Sequence, residues 1–252
     1  MTKRLIIHLP SHPLLMFAFL IIALTPLIWL YLVPKALALA LQPLGVSLVT
    51  GYFMAVVMVM LSMIMSVVNI AIIEVPKRIA LPDFDYILVF GIPYPIPKIR
   101  YVSSKTIIAL NVGGALIPLI LSSIMMGLMI FAWRGYLALI AVIVVMLVVA
   151  LIAYAFSKIV PGVGIVVPAL IPPLTAALAS IVLSNLMGIA IYAPAIAYVG
   201  AVTGTLIGAD IVNLIKHFDE IQSPLVSIGG AGTFDGIYLS GIMALFLALL
   251  FT

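Results

Sequence analysis

The sequence contains no cysteine, and only 7% of its 252 residues are charged. Without cysteine there are no disulfides, no thiol nucleophiles and no thiolate ligands for a metal. Hydrophobic residues make up 66% of the chain and the mean hydropathy is +1.45, values that exclude a water-soluble globular domain of this length. We therefore expect a multi-pass membrane protein whose surroundings are mainly the lipid bilayer.

The apolar runs divide into seven predicted membrane spans. A helix needs roughly 20 apolar residues to cross the hydrocarbon layer. The division between the fifth and sixth spans depends on length and turn residues alone, because no charge occurs between Lys158 and Asp210. The predicted fold is thus one all-α transmembrane domain, residues 1–252. Its approximate spans are 13–34, 44–74, 106–132, 135–157, 162–187, 189–215 and 228–251.

The basic residues predict the orientation of these spans. With the N-terminus in the cytoplasm, nine Lys and Arg residues lie inside, and only Lys35 and Arg134 lie outside. This positive-inside asymmetry predicts a cytoplasmic membrane protein, and it explains the net charge of +4 without nucleic acid. The cytoplasmic loop 75–105 is rich in proline and β-prone residues, so we expect a short extended hairpin there. Its charges act as topology signals or bind anionic lipid or a partner.

Short blocks in the two halves of the chain resemble each other. Asn111–Ala115 aligns with Ser227–Ala231, and Leu119–Met125 aligns with Ile237–Met243. Both members of each pair run in the same direction under the predicted topology. The pattern is therefore that of a parallel repeat of three helices, a linker helix and three helices, although apolar letters also match by chance.

Only two of the seven acidic residues, Asp210 and Asp235, fall within predicted spans. Burying a carboxyl group in a membrane is costly unless it is paired or neutral, so such residues are candidates for function. Asp210 lies six residues before Lys216, where the sixth span ends, and Asp235 lies about seven residues after the seventh begins. Both are thus about 10 Å below the same boundary. Neighbouring carboxyls that share a proton are what aspartic-protease chemistry requires.

Several residues around the pair are candidates for lining or supporting this site. Glycines allow close backbone approach and leave room for water or an extended substrate. A proline-rich run, residues 167–173, is expected to break the fifth helix near mid-membrane. We predict no metal site and no cofactor, because the histidines lack carboxylate partners and no glycine loop follows a strand. The candidates are Gly208, Asn213, Gly229, Gly230, Gly232, Thr233, Gly236, Tyr238, Pro168, Ala169 and Leu170.

The blocks GTLIGADIVNL, GGAGTFDGIYLSG and LNVGGALIPLILS are similar to the signature blocks of the domain of unknown function 1614 family. That family consists of prokaryotic integral membrane proteins, and its name implies no activity. The segment 232–235 also resembles the Gly-x-Gly-Asp motif of intramembrane aspartyl proteases of the presenilin and signal-peptide-peptidase type. In this chain Phe234 stands where that motif has glycine, and the Pro-Ala-Leu run precedes both aspartates.

Three interpretations of the aspartate pair remain open. The first is an intramembrane aspartyl protease that cleaves transmembrane peptides, which the second resemblance implies. The second is a carrier or channel in which the same carboxylates bind protons or a cation. In the third, each aspartate is a neutral hydrogen-bonding group that ties helices together. The sequence gives neither the substrate nor the oligomeric state.

Overall fold

The computed structural model describes residues 25, 27–89, 92–160, 164–218 and 225–252. It contains four apolar helices that are long enough to cross a membrane and three shorter ones. This indicates a membrane protein, as the composition predicts; the count of seven spans stays a prediction. The long helices are α2 (Leu48–Met65), α3 (Val112–Phe131), α4 (Gly135–Phe156) and α6 (Ala190–Lys216), and the shorter ones are α1 (Ile28–Leu44), α5 (Ile171–Leu186) and α7 (Gly236–Leu249).

Among the described residues five strands accompany the helices, so the fold is mostly helical rather than all-α as predicted. Three of them form one sheet in the order β1-β2-β5, and two form a small antiparallel hairpin. The predicted hairpin at 75–105 is confirmed as a hairpin, but it is much longer than expected and extends over residues 69–111. The strands are β1 (Asn69–Val89), β2 (Ile92–Asn111), β3 (Lys158–Val160), β4 (Gly164–Val166) and β5 (Leu225–Ile228).

The strands replace the ends of four predicted helices. The spans predicted at 44–74, 106–132, 162–187 and 228–251 each include residues that are extended or looped in the structure. In particular, the proline run does not break the fifth helix near its middle: residues 167–170 are a loop, and α5 begins at Ile171. Hydropathy failed at these ends because short apolar runs look alike in strands and in buried helices.

The first two helices form a hairpin whose turn lies later than predicted. Gly45 adopts a left-handed conformation, with φ of 92°, and ends α1. The Ser47 hydroxyl then accepts a hydrogen bond from the Thr50 backbone N–H and begins α2. Lys35, which we expected in an outer loop, therefore lies within α1, where its ammonium is 5.5 Å from the centre of the Tyr31 ring. Residues 13–24 of the first predicted span lie outside the described residues.

Helix α6 occupies the centre of the described helices. In its most apolar stretch 72% of the residues are buried inside the protein, against 22 to 44% in the other three long helices. Its small residues permit this position: Gly200 and Gly204 lie against Val145 and Val149 of α4. The predicted division before α6 is confirmed, because α5 ends at Leu186 and Gly188 turns the chain with φ of 66°.

Candidate functional site

Asp210 lies in a widened turn of α6. Residues Leu206–Ile211 adopt π-helical rather than α-helical geometry, a distortion that is frequent at functional sites. The Asn213 side-chain amide donates to the carbonyl oxygens of Gly208 and Ala209, at 3.1 and 2.9 Å, and to the Ser157 hydroxyl at 2.6 Å. Asn213 thus fixes the turn that carries Asp210 through the backbone rather than by contacting the carboxyl group.

Close packing also fixes this turn. A Cβ added to Gly208 would come within 2.0 Å of the Ala150 carbonyl oxygen on α4. Only glycine therefore allows the π-helical segment to lie directly on α4. Since Asp210 follows Gly208 by two residues, this contact holds the aspartate at a fixed height along the helix.

The sequence predicted that Asp235 lies inside a helix. In the structure it instead caps one. Helix α7 begins at Gly236, and one Asp235 oxygen accepts a hydrogen bond of 2.9 Å from the Ile237 backbone N–H. The other oxygen accepts a bond of 3.3 Å from the Ala231 N–H. Both interactions stabilise negative charge at the positive end of the helix. The expected position seven residues into the seventh span is therefore corrected to the N-cap.

The glycines before Asp235 form a tight loop instead of a loosened helix. Gly229 and Gly232 have φ of 73° and 64°, which other residues adopt at a cost. A Cβ at Gly232 would also lie 2.5 Å from that of Ser66 on the end of α2. The Ser66 hydroxyl accepts a hydrogen bond of 3.1 Å from the buried Thr233 N–H. This seats the loop on α2 and α3 and sets where α7 begins.

Helices α6 and α7 bring the two aspartates to the same level. The hydroxyl oxygens of Thr205 on α6 and Ser240 on α7 are 3.0 Å apart. Asp210 follows Thr205 by five residues, and Asp235 precedes Ser240 by five, so along antiparallel helices both are displaced by about 7 Å in the same direction. Both aspartates are half-buried.

The other predicted site residues divide into neighbours of the pair and packing residues. Val167 lies 3.6 Å from where a Cβ of Gly236 would be, so the exposed loop that contains Pro168, Ala169 and Leu170 adjoins the start of α7. Tyr238 is buried, and the centre of its ring lies 5.8 Å from that of Trp29, with the ring planes inclined at 37°. Gly230 is an exposed turn residue.

A polar network below the loop was missed by the sequence analysis. The Asn111 amide donates to the Ser66 carbonyl oxygen at 2.7 Å and to the Asn69 side-chain oxygen at 3.1 Å. The Ser227 hydroxyl donates to the same Asn69 oxygen. Asn111 and Ser227 begin the two aligned blocks of the predicted repeat, and that alignment was the sequence signal that could have revealed the network. Strands β2 and β5, which precede α3 and α7, pair in parallel here; the repeat itself stays a prediction.

Comparison with known proteins places this site within a family. A family model described as "Protein of unknown function (DUF1614)" matches residues 63–247, a range that includes the polar network and both aspartates. No curated protein and no solved structure matches the chain. Because the family model covers well over half of the sequence, the chain belongs to the DUF1614 family.

Proposed function

We propose that this protein is an intramembrane aspartyl hydrolase that cleaves peptide bonds of membrane-embedded substrates with Asp210 and Asp235. The observation that carries the proposal is the contact of the Thr205 and Ser240 hydroxyls, which brings two half-buried carboxyl groups to one level of adjacent helices. An acid and a base must reach the same substrate bond, and two carboxyl groups in close proximity share a proton more readily than both ionise.

The hydrogen bonds suggest a division of roles between the two aspartates. Asp235 accepts two backbone N–H groups, which stabilise its negative charge. No hydrogen bond from the described residues reaches Asp210, so the shared proton belongs on that side chain. In the proposed reaction Asp235 is therefore the base and Asp210 the acid.

The proposed hydrolysis returns both groups to their starting states. Asp235 takes a proton from water while the water oxygen attacks the peptide carbonyl carbon, and Asp210 donates its proton to the carbonyl oxygen. When the resulting diol collapses, the C–N bond breaks and Asp235 gives its proton to the leaving nitrogen. Asp210 then takes the diol proton, and the pair again holds one proton.

The surroundings of the pair favour an apolar, extended substrate. The aspartates are half-buried, so a substrate can reach them without unfolding the helices. The loop beside Gly236 exposes Leu170, which is 57% accessible, to such a chain. A transmembrane segment that unwinds locally offers both the apolar side chains and the exposed peptide bond that this site requires.

The test is cleavage of a fluorogenic transmembrane peptide by purified protein in lipid vesicles. Asp210→Asn and Asp235→Asn should each lower the rate by about 10²–10⁴-fold, because each removes one proton-transfer group. Asparagine keeps the helix cap at position 235, so the loss would report chemistry rather than folding. Asp85→Asn, on the exposed ribbon, is the matched control and should leave the rate unchanged. Wild-type cleavage by both asparagine variants would refute the proposal.

A carrier function is the second candidate, favoured by the interruption of helical structure at both carboxylates. The π-helical turn of α6 and the loop before α7 are the kind of broken helix at which transporters bind coupling ions. A carrier would show pH-driven flux into vesicles that Asp210→Asn and Asp235→Asn abolish, with no cleavage by the wild-type protein.

A further inference from the structure

The ribbon formed by β1 and β2 is connected at its base, through both strands, to the membrane-spanning part of the protein. β1 begins four residues after α2, and β2 leads directly into α3. The two strands pair from Asn69–Asn111 to Val89–Ile92, a length of about 65 Å at roughly 3.3 Å per residue. β5 covers β2 only at its base, along Ile107–Leu110. The distal half of the ribbon is therefore a long arm whose base is anchored at α2 and α3.

One face of the distal ribbon carries only apolar side chains. Paired residues of an antiparallel ribbon lie on the same face. On this face three large side chains of β1 each lie beside a proline of β2, and they are 58, 67 and 75% exposed in chain order. We call it the apolar face. Its pairs are Phe84–Pro97, Tyr86–Pro95 and Leu88–Pro93.

The opposite face carries charge. Asp85 and Lys98 form an ion pair of 2.8 Å there, beside the pair Ile87–Tyr94. The hydrogen bond and the positive charge of Lys98 hold the pKa of Asp85 below its usual value of 3.8. Charged side chains favour water, and the described charged residues of the distal ribbon, Asp83, Asp85 and Lys98, all lie on this face. The same face also exposes Ile87, Ile92, Tyr94 and Ile96, so the two faces differ in charge rather than in the presence of apolar side chains.

We propose that the distal ribbon lies on the bilayer surface, with its apolar face in the headgroup region and the Asp85–Lys98 pair toward water. Apolar and aromatic side chains gain from leaving water, and tyrosine is enriched at this interface. Attachment to α2 and α3 anchors the base of the ribbon at the membrane-spanning helices, so its apolar face can reach the lipid headgroups without the protein having to bind the membrane from solution. Prolines have no N–H to donate, so the β2 edge near Pro93 and Pro95 is poorly suited to an added protein strand.

The absence of cysteine allows a direct test on the full-length protein in vesicles of phosphatidylcholine and phosphatidylglycerol. Single cysteines at Tyr86, Ile87, Leu88 and Tyr94 would each carry a nitroxide label. All four side chains are exposed, at 67, 47, 75 and 63%, so the substitutions leave the core intact. Paramagnetic relaxation by oxygen reports lipid, and relaxation by a water-soluble nickel chelate reports solvent. Leu147 on α4, which is 59% exposed, supplies a membrane-embedded reference.

The expected result alternates along the strand. Labels at 86 and 88 should collide more often with oxygen than with nickel, as at Leu147, and labels at 87 and 94 should show the reverse. Nickel-dominated relaxation at all four ribbon positions, or the opposite alternation, would overturn the proposal. Spin–spin broadening at position 86 that increases with the density of labelled protein in the vesicles would also overturn the proposal, because it marks contact with a second copy of the chain. The result is independent of peptide cleavage.

Discussion

The carboxylates of the described residues occur in two contrasting regions of this molecule. On the ribbon Asp85 is exposed and paired with Lys98, and its pKa is lowered by that cation. At the junction of α6 and α7, Asp210 and Asp235 are half-buried, and no cation from the described residues forms a salt bridge with either. An exposed ion pair contributes little to stability, whereas uncompensated carboxylates in a membrane protein are costly. The Asp235 carboxyl is in part compensated because it caps α7, whereas no hydrogen bond from the described residues reaches Asp210, which makes the second region the candidate for function.

The largest effect should follow from disturbing the loop that places Asp235. Gly232→Ala forces a side chain into a left-handed conformation and against Ser66, so we expect a loss of about 2–4 kcal/mol. Thermal unfolding in detergent measures this loss of stability. Gly127→Ala is the matched control, since no atom lies within 4 Å of its new Cβ, and it should be neutral or stabilising by up to about 1 kcal/mol. Equal destabilisation by both variants would contradict the role of the loop.

A smaller effect should follow at the widened turn that carries Asp210. Asn213→Ala removes the amide that binds Ser157 and two backbone carbonyls, which should lower the free energy of unfolding by about 1–3 kcal/mol. The rate of peptide cleavage should also fall, because Asp210 loses its fixed position. Asn185→Ala on α5, where the exposed amide bonds only to the Ile181 carbonyl, should change either quantity little. If cleavage survives Asn213→Ala unchanged, the turn does not position Asp210.

The smallest effect belongs to the ribbon carboxylate. Because the pKa of folded Asp85 lies below 3.8, its ion pair is fully formed above that pH and is lost as the pH falls through the lowered value. Carboxyl NMR titration should therefore show Asp85 titrating below 3.8, and Lys98→Gln should move the midpoint back toward 3.8. Asp85→Asn should leave thermal unfolding almost unchanged at neutral pH, since the pair is exposed. A midpoint unaffected by Lys98→Gln would mean that the pair does not form.

The sequence predicted the membrane class and the two aspartates, because scarcity of charge makes each carboxyl in an apolar run conspicuous. The prediction that both lie at one level came from counting residues from helix ends. That count placed Asp235 seven residues into a helix, which was wrong because Asp235 caps α7. The hydropathy pattern missed that Asp235 caps α7, although the glycines of GGAGTF disfavour a helix and aspartate is a preferred N-cap residue. Nor could hydropathy reveal the π-helical turn, which depends on the contact of Gly208 with Ala150.

The wrong prediction that Lys35 lies in an outer loop also came from reliance on the apolar pattern alone. A span drawn around the longest apolar run ended before this lysine, whereas the turn at Gly45 and the Ser47 cap lie ten residues later. The packing of α1 on α2 determines where α1 ends. The contact between Gly51 and Ala38 on which that packing depends is not visible in a single sequence. Local turn chemistry would have been the better guide here than the length of the apolar run.

Cysteine cross-linking of positions 210 and 235 tests the central claim most directly. In this cysteine-free chain, Asp210→Cys with Asp235→Cys in native membranes should react with a short bifunctional maleimide. The Thr205→Cys with Ser240→Cys pair, whose native oxygens are 3.0 Å apart, is the positive control, and Asp210→Cys with Asp85→Cys is the negative one. We predict cross-linking of 210 to 235 as efficient as that of 205 to 240. Cross-linking of 205 to 240 alone would show that the two aspartates do not form one site.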